Sequence, residues 1–421
     1  MIDWGLSDAA VAALVRGAGR DGDSVAERDE AMARALWSVV VEPGDGDAGL
    51  LLGAVGAVEA ARILLERPAP ISLATATGGE LAGSAAERAL GRWLPRRRQA
   101  DLVRALESAA RTRARLLAPS DEEWPAALDD LGEHAPLALW SRGDATLLAR
   151  TSVALVGARA ATGYGEHIAM ELAAGAVGNE VAVVSGGAYG IDGMAHRAVL
   201  ASGGDTVAVL AGGVDRLYPA GHEALLTRIT EQGAIVSEAP CGTAPTRWRF
   251  LQRNRLIAAL ADATVVVEAG RRSGALSTAR HALALGRPVG VVPGPVTSAS
   301  SAGCHVMLRE HPVVCVTTVA EQMELVRGGM VEGGAGASVD DDDPSRGAPD
   351  PDGMVTRVLD ALRPRRAQSV AELARAVGES SSRIRGVLGV LALEDRAVSK
   401  GDGWVRAAAP RGTRTGFTAE E

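Results

Sequence analysis

Val183-Val184-Ser185-Gly186-Gly187-Ala188-Tyr189-Gly190-Ile191-Asp192 sets a short apolar run against a glycine-bearing turn and the start of a helix-length segment. The same order recurs about five times between residues 152 and 320; Val156-Gly157-Ala158-Arg159 and Arg272-Ser273-Gly274-Ala275-Leu276-Ser277-Thr278 are two more instances. The apolar runs at 152–156, 181–185, 206–211, 234–237, 264–268 and 289–292 do not alternate with polar residues, as expected of strands covered on both faces. Helical spacing separates them. The reading is an α/β fold with a doubly wound, largely parallel sheet. Helix N-termini offer unpaired N–H groups and a positive dipole end, and glycine lets an anion approach the backbone. Several such turns along one sheet edge predict a phosphate-lined rim rather than a single nucleotide pocket.

Upstream, residues 1–117 are rich in Ala, Leu, Arg and Glu, with helical spacing at 26–41, 49–65 and 96–117. They predict an all-helical N-terminal domain whose first 25 or so residues are disordered. A lead-in containing Trp124-Pro125 and the apolar stretch 137–140 opens the second domain, residues 118–327. Residues 328–353, with Gly-Gly pairs, prolines and Asp340-Asp341-Asp342-Asp343, cannot form a core and read as an acidic linker. Residues 354–407 hold three helical stretches, at 354–362, 369–377 and 380–394. Short runs at 397–399 and 404–406 then flank Lys400-Gly401-Asp402-Gly403, a hairpin signal. Three helices and a hairpin predict a winged helix, followed by a disordered tail at 408–421.

The 421 residues carry a net charge of −8, which argues against a general polyanion binder and leaves room for a local basic stripe. Among 44 basic residues Lys400 is the only lysine, so the Gly-Lys-Ser/Thr loop of phosphate-binding ATPases is absent. Cys241, Cys304 and Cys315 lack metal-ligand spacing and read as reduced thiols. No basic-then-apolar leader opens the chain, and no uninterrupted apolar run reaches the roughly 18 residues of a membrane span. The expectation is a soluble cytoplasmic protein with no membrane contact, no metal and no cofactor. There is no H-E-x-x-H, and Val183 stands where a nucleophile elbow at Ser185 needs glycine, so no catalytic residue is assigned.

Four segments carry candidate chemistry. Gly157 and Arg159 follow the first strand, where open α/β sheets bind ligands and a guanidinium can fork onto phosphate. Arg159 also fits helix capping or an ion pair with Asp192 or Glu238. Ser185, Gly186, Gly187 and Gly190 form the densest turn. They lack the spacing of a dinucleotide fingerprint, and tight internal packing explains glycines equally well. Arg247, Arg249, Phe250, Arg253, Asn254 and Arg255 interleave guanidinium groups with a ring. This suits a single-stranded nucleic acid, whose phosphates pair with arginine and whose bases stack. Arg253 and Arg255 could instead form salt bridges, with Phe250 in the core. Ser273, Gly274, Ser277 and Thr278 could bind an anion at a helix start or simply cap it.

Taken in order, these motifs resemble the DNA-processing protein A (DprA/Smf) family. The resemblance rests on Gly157-Ala158-Arg159-x-Ala161-Thr162-x-Tyr164-Gly165, Ser185-Gly186-Gly187-Ala188-x-Gly190-Ile191-Asp192, Asp215-x-x-Tyr218-Pro219, Arg253-Asn254-Arg255-x-Ile257, and Ser273-Gly274-x-Leu276-x-Thr278-Ala279, spread over about 170 residues. It implies an extended Rossmann-like domain with a C-terminal winged helix. It also implies a homodimer that binds single-stranded DNA and helps load the recombinase RecA past single-strand-binding protein in natural transformation. Phosphate contact by Arg159 and a basic–stacking pair at Arg247 and Phe250 are carried over from the family. Ala158 stands where serine is common, and Ala220 where a lysine often follows Tyr-Pro, which removes one expected phosphate contact. A rival class, the LOG-like nucleotide hydrolases, needs a glutamate that would fall in Thr278-Ala279-Arg280-His281, where no carboxylate stands.

Overall fold

The structure, a computed structural model, describes residues 2–328 and 353–407. The expected acidic linker, apart from its end residues Gly328 and Gly353, and the expected tail at 408–421 lie outside the described residues.

Six α-helices open the chain: α1 (Asp8–Gly17), α2 (Val25–Val40), α3 (Gly46–Glu66), α4 (Pro70–Ala76), α5 (Gly83–Trp93) and α6 (Gln99–Thr112). Their ends follow the local chemistry. Ser24 caps α2 in a reciprocal box with Glu27, and Asp45 accepts from the Ala48 N–H at the start of α3. The expectation that the first 25 residues are disordered is corrected. Ile2 and Trp4 are buried, α1 is formed, and the Trp4 indole donates to the Asp29 carboxylate at 2.8 Å. By length and composition α3 could cross a membrane. It is broken at Gly56, where φ is 76°, and its apolar face from Leu51 to Leu64 is buried in the core.

The sheet follows in order: β1 (Arg115–Leu117), β2 (Leu139–Gly143), β3 (Ser152–Gly157), α7 (Gly163–Gly178), β4 (Ala182–Ser185), α8 (Ile191–Ala201), β5 (Thr206–Val209), α9 (Glu223–Gln232), β6 (Ala234–Ser237), α10 (Arg247–Leu260), β7 (Ala263–Glu268), α11 (Ala275–Ala284), β8 (Val289–Val291), α12 (Ala302–Glu310), β9 (Val314–Cys315) and α13 (Val319–Val326). Among the described residues its nine strands lie in the order β1-β2-β6-β5-β4-β3-β7-β8-β9. From β6 to β9 every neighbouring pair is parallel, while β1 and β2 add an antiparallel edge. Successive strands step one way from β3 to β6. Helix α10 then carries the chain back across to β7, on the other side of β3. The order therefore reverses at β3, where a doubly wound sheet opens a crevice at its carboxyl edge.

Alternate residues of each strand enter different cores. Val153 and Leu155 pack with α7, α8 and α13, whereas Ala154 and Val156 pack with α10 and α11. Along the β5–β6–β2 side, Ala208, Ile235 and Trp140 join Leu36, Trp37, Leu51 and Leu64 of the N-terminal helices in one continuous cluster. Withdrawing each such large side chain from water contributes about 1.5–3 kcal/mol. The helical segment is thus a layer on the sheet, in one compact unit with the rest of residues 2–328, which corrects the expected boundary at 117 between separate domains.

A second unit carries its own core. Helices α14 (Met354–Ala361), α15 (Val370–Val377) and α16 (Ser381–Leu393) enclose Val358, Leu373, Ile384, Leu388 and Leu391. The hairpin β10 (Ala397–Lys400) and β11 (Gly403–Arg406) follows.

Candidate nucleic-acid interface

Helix α10 starts at the rim, where Thr246 accepts from the Arg249 N–H at 3.2 Å. Arg247 in its first turn is exposed, Phe250 half-buried, and burial deepens along the helix until residues 253–260 are all enclosed. The loop after β3 brings Arg159 to the same place, its guanidinium 4.7 Å from the centre of the Phe250 ring. Arg253 lies 5.7 Å from that centre, and the Tyr218 ring stands 5.9 Å away, tilted by 53°. Arg159 and Tyr218 face solvent. Three segments distant in sequence thus gather a cation, a partly open ring and a second exposed ring over the carboxyl ends of β3, β4 and β5.

Four expected phosphate contacts on α10 are corrected to internal roles. Arg249, 8% exposed, donates from Nε and Nη2 to the Glu42 carboxylate at 2.9 and 2.6 Å. Arg255, 4% exposed, gives Nη2 to both oxygens of Glu238 at 2.9 and 2.7 Å. Asn254 donates to the Gly274 carbonyl at 3.2 Å. Arg253 is buried and donates from Nη1 to the Val209 carbonyl at 2.7 Å. Burial pulls its pKa down to about 10 against the opposing pull of Asp192. Each of these groups is withdrawn from solvent because a carboxylate or carbonyl of the fold already accepts from it.

The second glycine turn is likewise filled from within. Ser185 is fully buried and donates to the Leu155 carbonyl at 2.6 Å. The N–H groups of Gly186 and Ala188 donate to Asp192 Oδ2 at 3.1 and 3.4 Å. Burial raises the Asp192 pKa, and Arg253 works against that rise. A side chain at Gly186 would collide with the Arg253 guanidinium. One at Gly190, where φ is 72°, would strike the Ala158 carbonyl. Gly187 is buried, and Gly157 is hemmed in by Ile191 and the Glu268 carbonyl. The first turn has its own internal anion: Glu268, at the end of β7, accepts from the Thr162 N–H and hydroxyl at 2.9 and 2.8 Å. The glycines of these two turns therefore serve close packing, and carboxylates of the chain occupy the positions where an anion was expected.

At the fourth turn Ser273 accepts from the Ala275 N–H at 3.3 Å, one residue ahead of the N-cap Gly274, which makes no side-chain cap, and Thr278 is buried. Ser277 is half-buried and Gly274 exposed, beside exposed Arg271 and Arg272. Tyr164, Tyr189 and Tyr218 were not singled out from the sequence as contact residues. The available signal was that they are the chain's only tyrosines, all near glycine turns. Among the described residues no three His, Cys, Asp or Glu side chains gather closely enough to hold a metal.

A family model for DNA recombination-mediator protein A matches residues 115–327. A DNA processing protein DprA of Mycobacterium tuberculosis is 44% identical over 406 residues, covering 92% of this chain and 98% of the relative. Protein Smf of Escherichia coli is 38% identical over 216 residues, 51% of this chain and 57% of its own. The X-ray structure of DNA processing protein A from Streptococcus pneumoniae, 28% identical, superposes with a TM-score of 0.56 over 70% of this chain and 96% of that one. The doubly wound sheet, the motifs around its reversal point and these likenesses converge: the chain belongs to the DNA recombination-mediator protein A family of DNA processing proteins.

Proposed function

We propose that the carboxyl rim around Arg159, Arg247, Phe250 and Tyr218 grips single-stranded DNA. The observation that carries this reading is the Arg159–Phe250–Tyr218 cluster. A half-buried ring beside an exposed one suits unpaired bases, which a duplex keeps stacked away. Guanidinium groups beside them suit the phosphates between bases. In this reading the chain is a non-catalytic, cytoplasmic mediator that acts as a homodimer and hands the strand to RecA against single-strand-binding protein. Absence of catalysis is supported by the lack of a carboxylate at residues 278–281 and by the capture of both Glu268 oxygens by Thr162.

Fluorescence anisotropy with labelled oligo-dT, the matching duplex and a mononucleotide tests the reading. Oligo-dT should bind far more tightly than either of the others. Arg159→Ala should weaken it by at least tenfold and flatten the slope of log K against log salt by about 0.7, one phosphate contact on a single strand. Equal binding of duplex and single strand, or an unchanged Arg159→Ala variant, overturns it.

A further inference from the structure

The chain distributes its aromatic residues unevenly. Of seven tryptophans, Trp4, Trp37, Trp93, Trp124 and Trp140 are buried. The three tyrosines, Tyr164, Tyr189 and Tyr218, are 40, 46 and 49% exposed. Each follows a different strand on the carboxyl edge, Tyr164 after β3, Tyr189 after β4 and Tyr218 after β5. Fixed contacts keep these rings from swinging freely. The Tyr164 hydroxyl donates to the Pro293 carbonyl, just beyond β8, at 2.8 Å. The Tyr189 hydroxyl accepts from the Gly221 N–H, beyond β5, at 3.2 Å, and its ring meets His222 edge-on at 4.8 Å. Tyr218 leans on Phe250.

The anchors therefore run along the rim from β8 to β5. Their strands stand in the order β5-β4-β3-β7-β8. The strands that precede the three tyrosines span two inter-strand steps of about 4.8 Å, roughly 10 Å, and the Tyr164 hydroxyl reaches on to the segment beyond β8. An amphipathic ring pinned by its hydroxyl and left open on its face has lost its rotational freedom before a base arrives, which is what a stacking platform needs.

We propose that Tyr164, Tyr189 and Tyr218 form, with Phe250, a base-stacking row that leads the strand along the rim, across the ends of the parallel strands. This rests on the reading that the rim binds single-stranded DNA. It adds the course of the strand and residues outside the arginine-rich helix. Stacking is tolerant of base identity because every base has a π-face, so the row fits a ligand of arbitrary sequence.

The test uses the full-length protein and oligonucleotides carrying one 2-aminopurine at successive positions. In the wild-type complex a run of adjacent positions should change emission as each base meets a ring. Tyr164→Ala and Tyr189→Ala should each weaken oligonucleotide binding roughly 5- to 100-fold and restore free-base emission at separate positions. Tyr164→Phe and Tyr189→Phe, which keep the rings but lose the hydroxyl anchors, should lose clearly less than the alanine variants. If Arg159→Ala loses binding while both tyrosine-to-alanine variants bind normally, the stacking row is wrong and the rim reading stands. If neither kind of variant matters, the rim reading falls with it. The emission profile of the unaltered protein needs no variant to fold: a flat profile overturns the row by itself.

Discussion

Arg159 and Arg253 approach the same phenylalanine ring, yet one is exposed and the other enclosed. Only the exposed one can change partner without a desolvated group being stranded. Phe250→Ala should cost about 1–3 kcal/mol of oligonucleotide affinity if a base stacks there. An unchanged Kd with a lowered Tm would make Phe250 a packing residue only. His196 shows the same logic with protons. It is fully buried, with Nδ1 2.7 Å from the Thr206 hydroxyl, which itself donates to the Val183 carbonyl. Burial, chiefly, lowers its pKa from 6.5 to about 3. A lowered histidine pKa means the folded state resists the proton that the unfolded chain accepts. Its stabilising share is complete above pH 6.5 and is lost as pH falls towards 3. At pH 5 that loss is about 2 kcal/mol, and urea titrations from pH 7.5 to 4.5 should show a shallower decline for His196→Asn. At this scale the sequence set Phe250 among the arginines of its own segment and read Arg159 apart from it, so it could not tell Arg159 from Arg253. What separates them is the Val209 carbonyl, 44 residues away from Arg253 in sequence.

Helix α10 is where a local pattern and the tertiary structure disagree most. Arginines alternating with aromatics read as one exposed track, but the helix begins at the rim and ends in the core, so its repeat has no single outward face. Its charged partners are remote: Glu42 lies 207 residues from Arg249, in the loop between α2 and α3. Arg96 also donates to Glu42, at 2.8 Å, and the Gly44 N–H donates to Glu238 at 3.1 Å. The N-terminal layer thus clamps the helix that presents Arg247 and Phe250. Glu42→Ala leaves the Arg249 guanidinium buried without its carboxylate and should cost about 3–5 kcal/mol in denaturant unfolding, with Glu42→Gln losing less. A change below 1 kcal/mol would mean that water or another acceptor replaces the carboxylate. The central strands were legible because runs such as 153–156 and 265–267 are unbroken apolar stretches. Strands β1 and β2 carry an arginine each and β9 is only two residues long, so these three gain strand character from their neighbours rather than from their own composition.

For the molecule as a whole, core membership decides what can be removed. The C-terminal unit, with its separate core around Leu373 and Leu388, should be dispensable to the first. A chain ending at Gly328 should keep the main thermal transition of the full-length protein. A chain beginning at Arg115 would match the family model yet strip the cover from Trp140, Ala208 and Ile235, and it should aggregate or stay unfolded. A well-dispersed folded spectrum from that shorter chain would show the helical layer to be an accessory. The three-helix-and-hairpin order of the C-terminal unit was readable from the helical spacing at 354–362, 369–377 and 380–394 and from the Lys400–Gly403 turn. The sharing of one core between N-terminal helices and sheet was not, because it depends on contacts between residues a hundred or more apart. The glycine turns carry a last implication. With Asp192 and Glu268 already seated in the first two turns, a lone phosphate finds no cradle in either of them. On the proposed reading, grip has to accumulate link by link along a polymer, and a pool of monomers would pass over these two turns without competing for them.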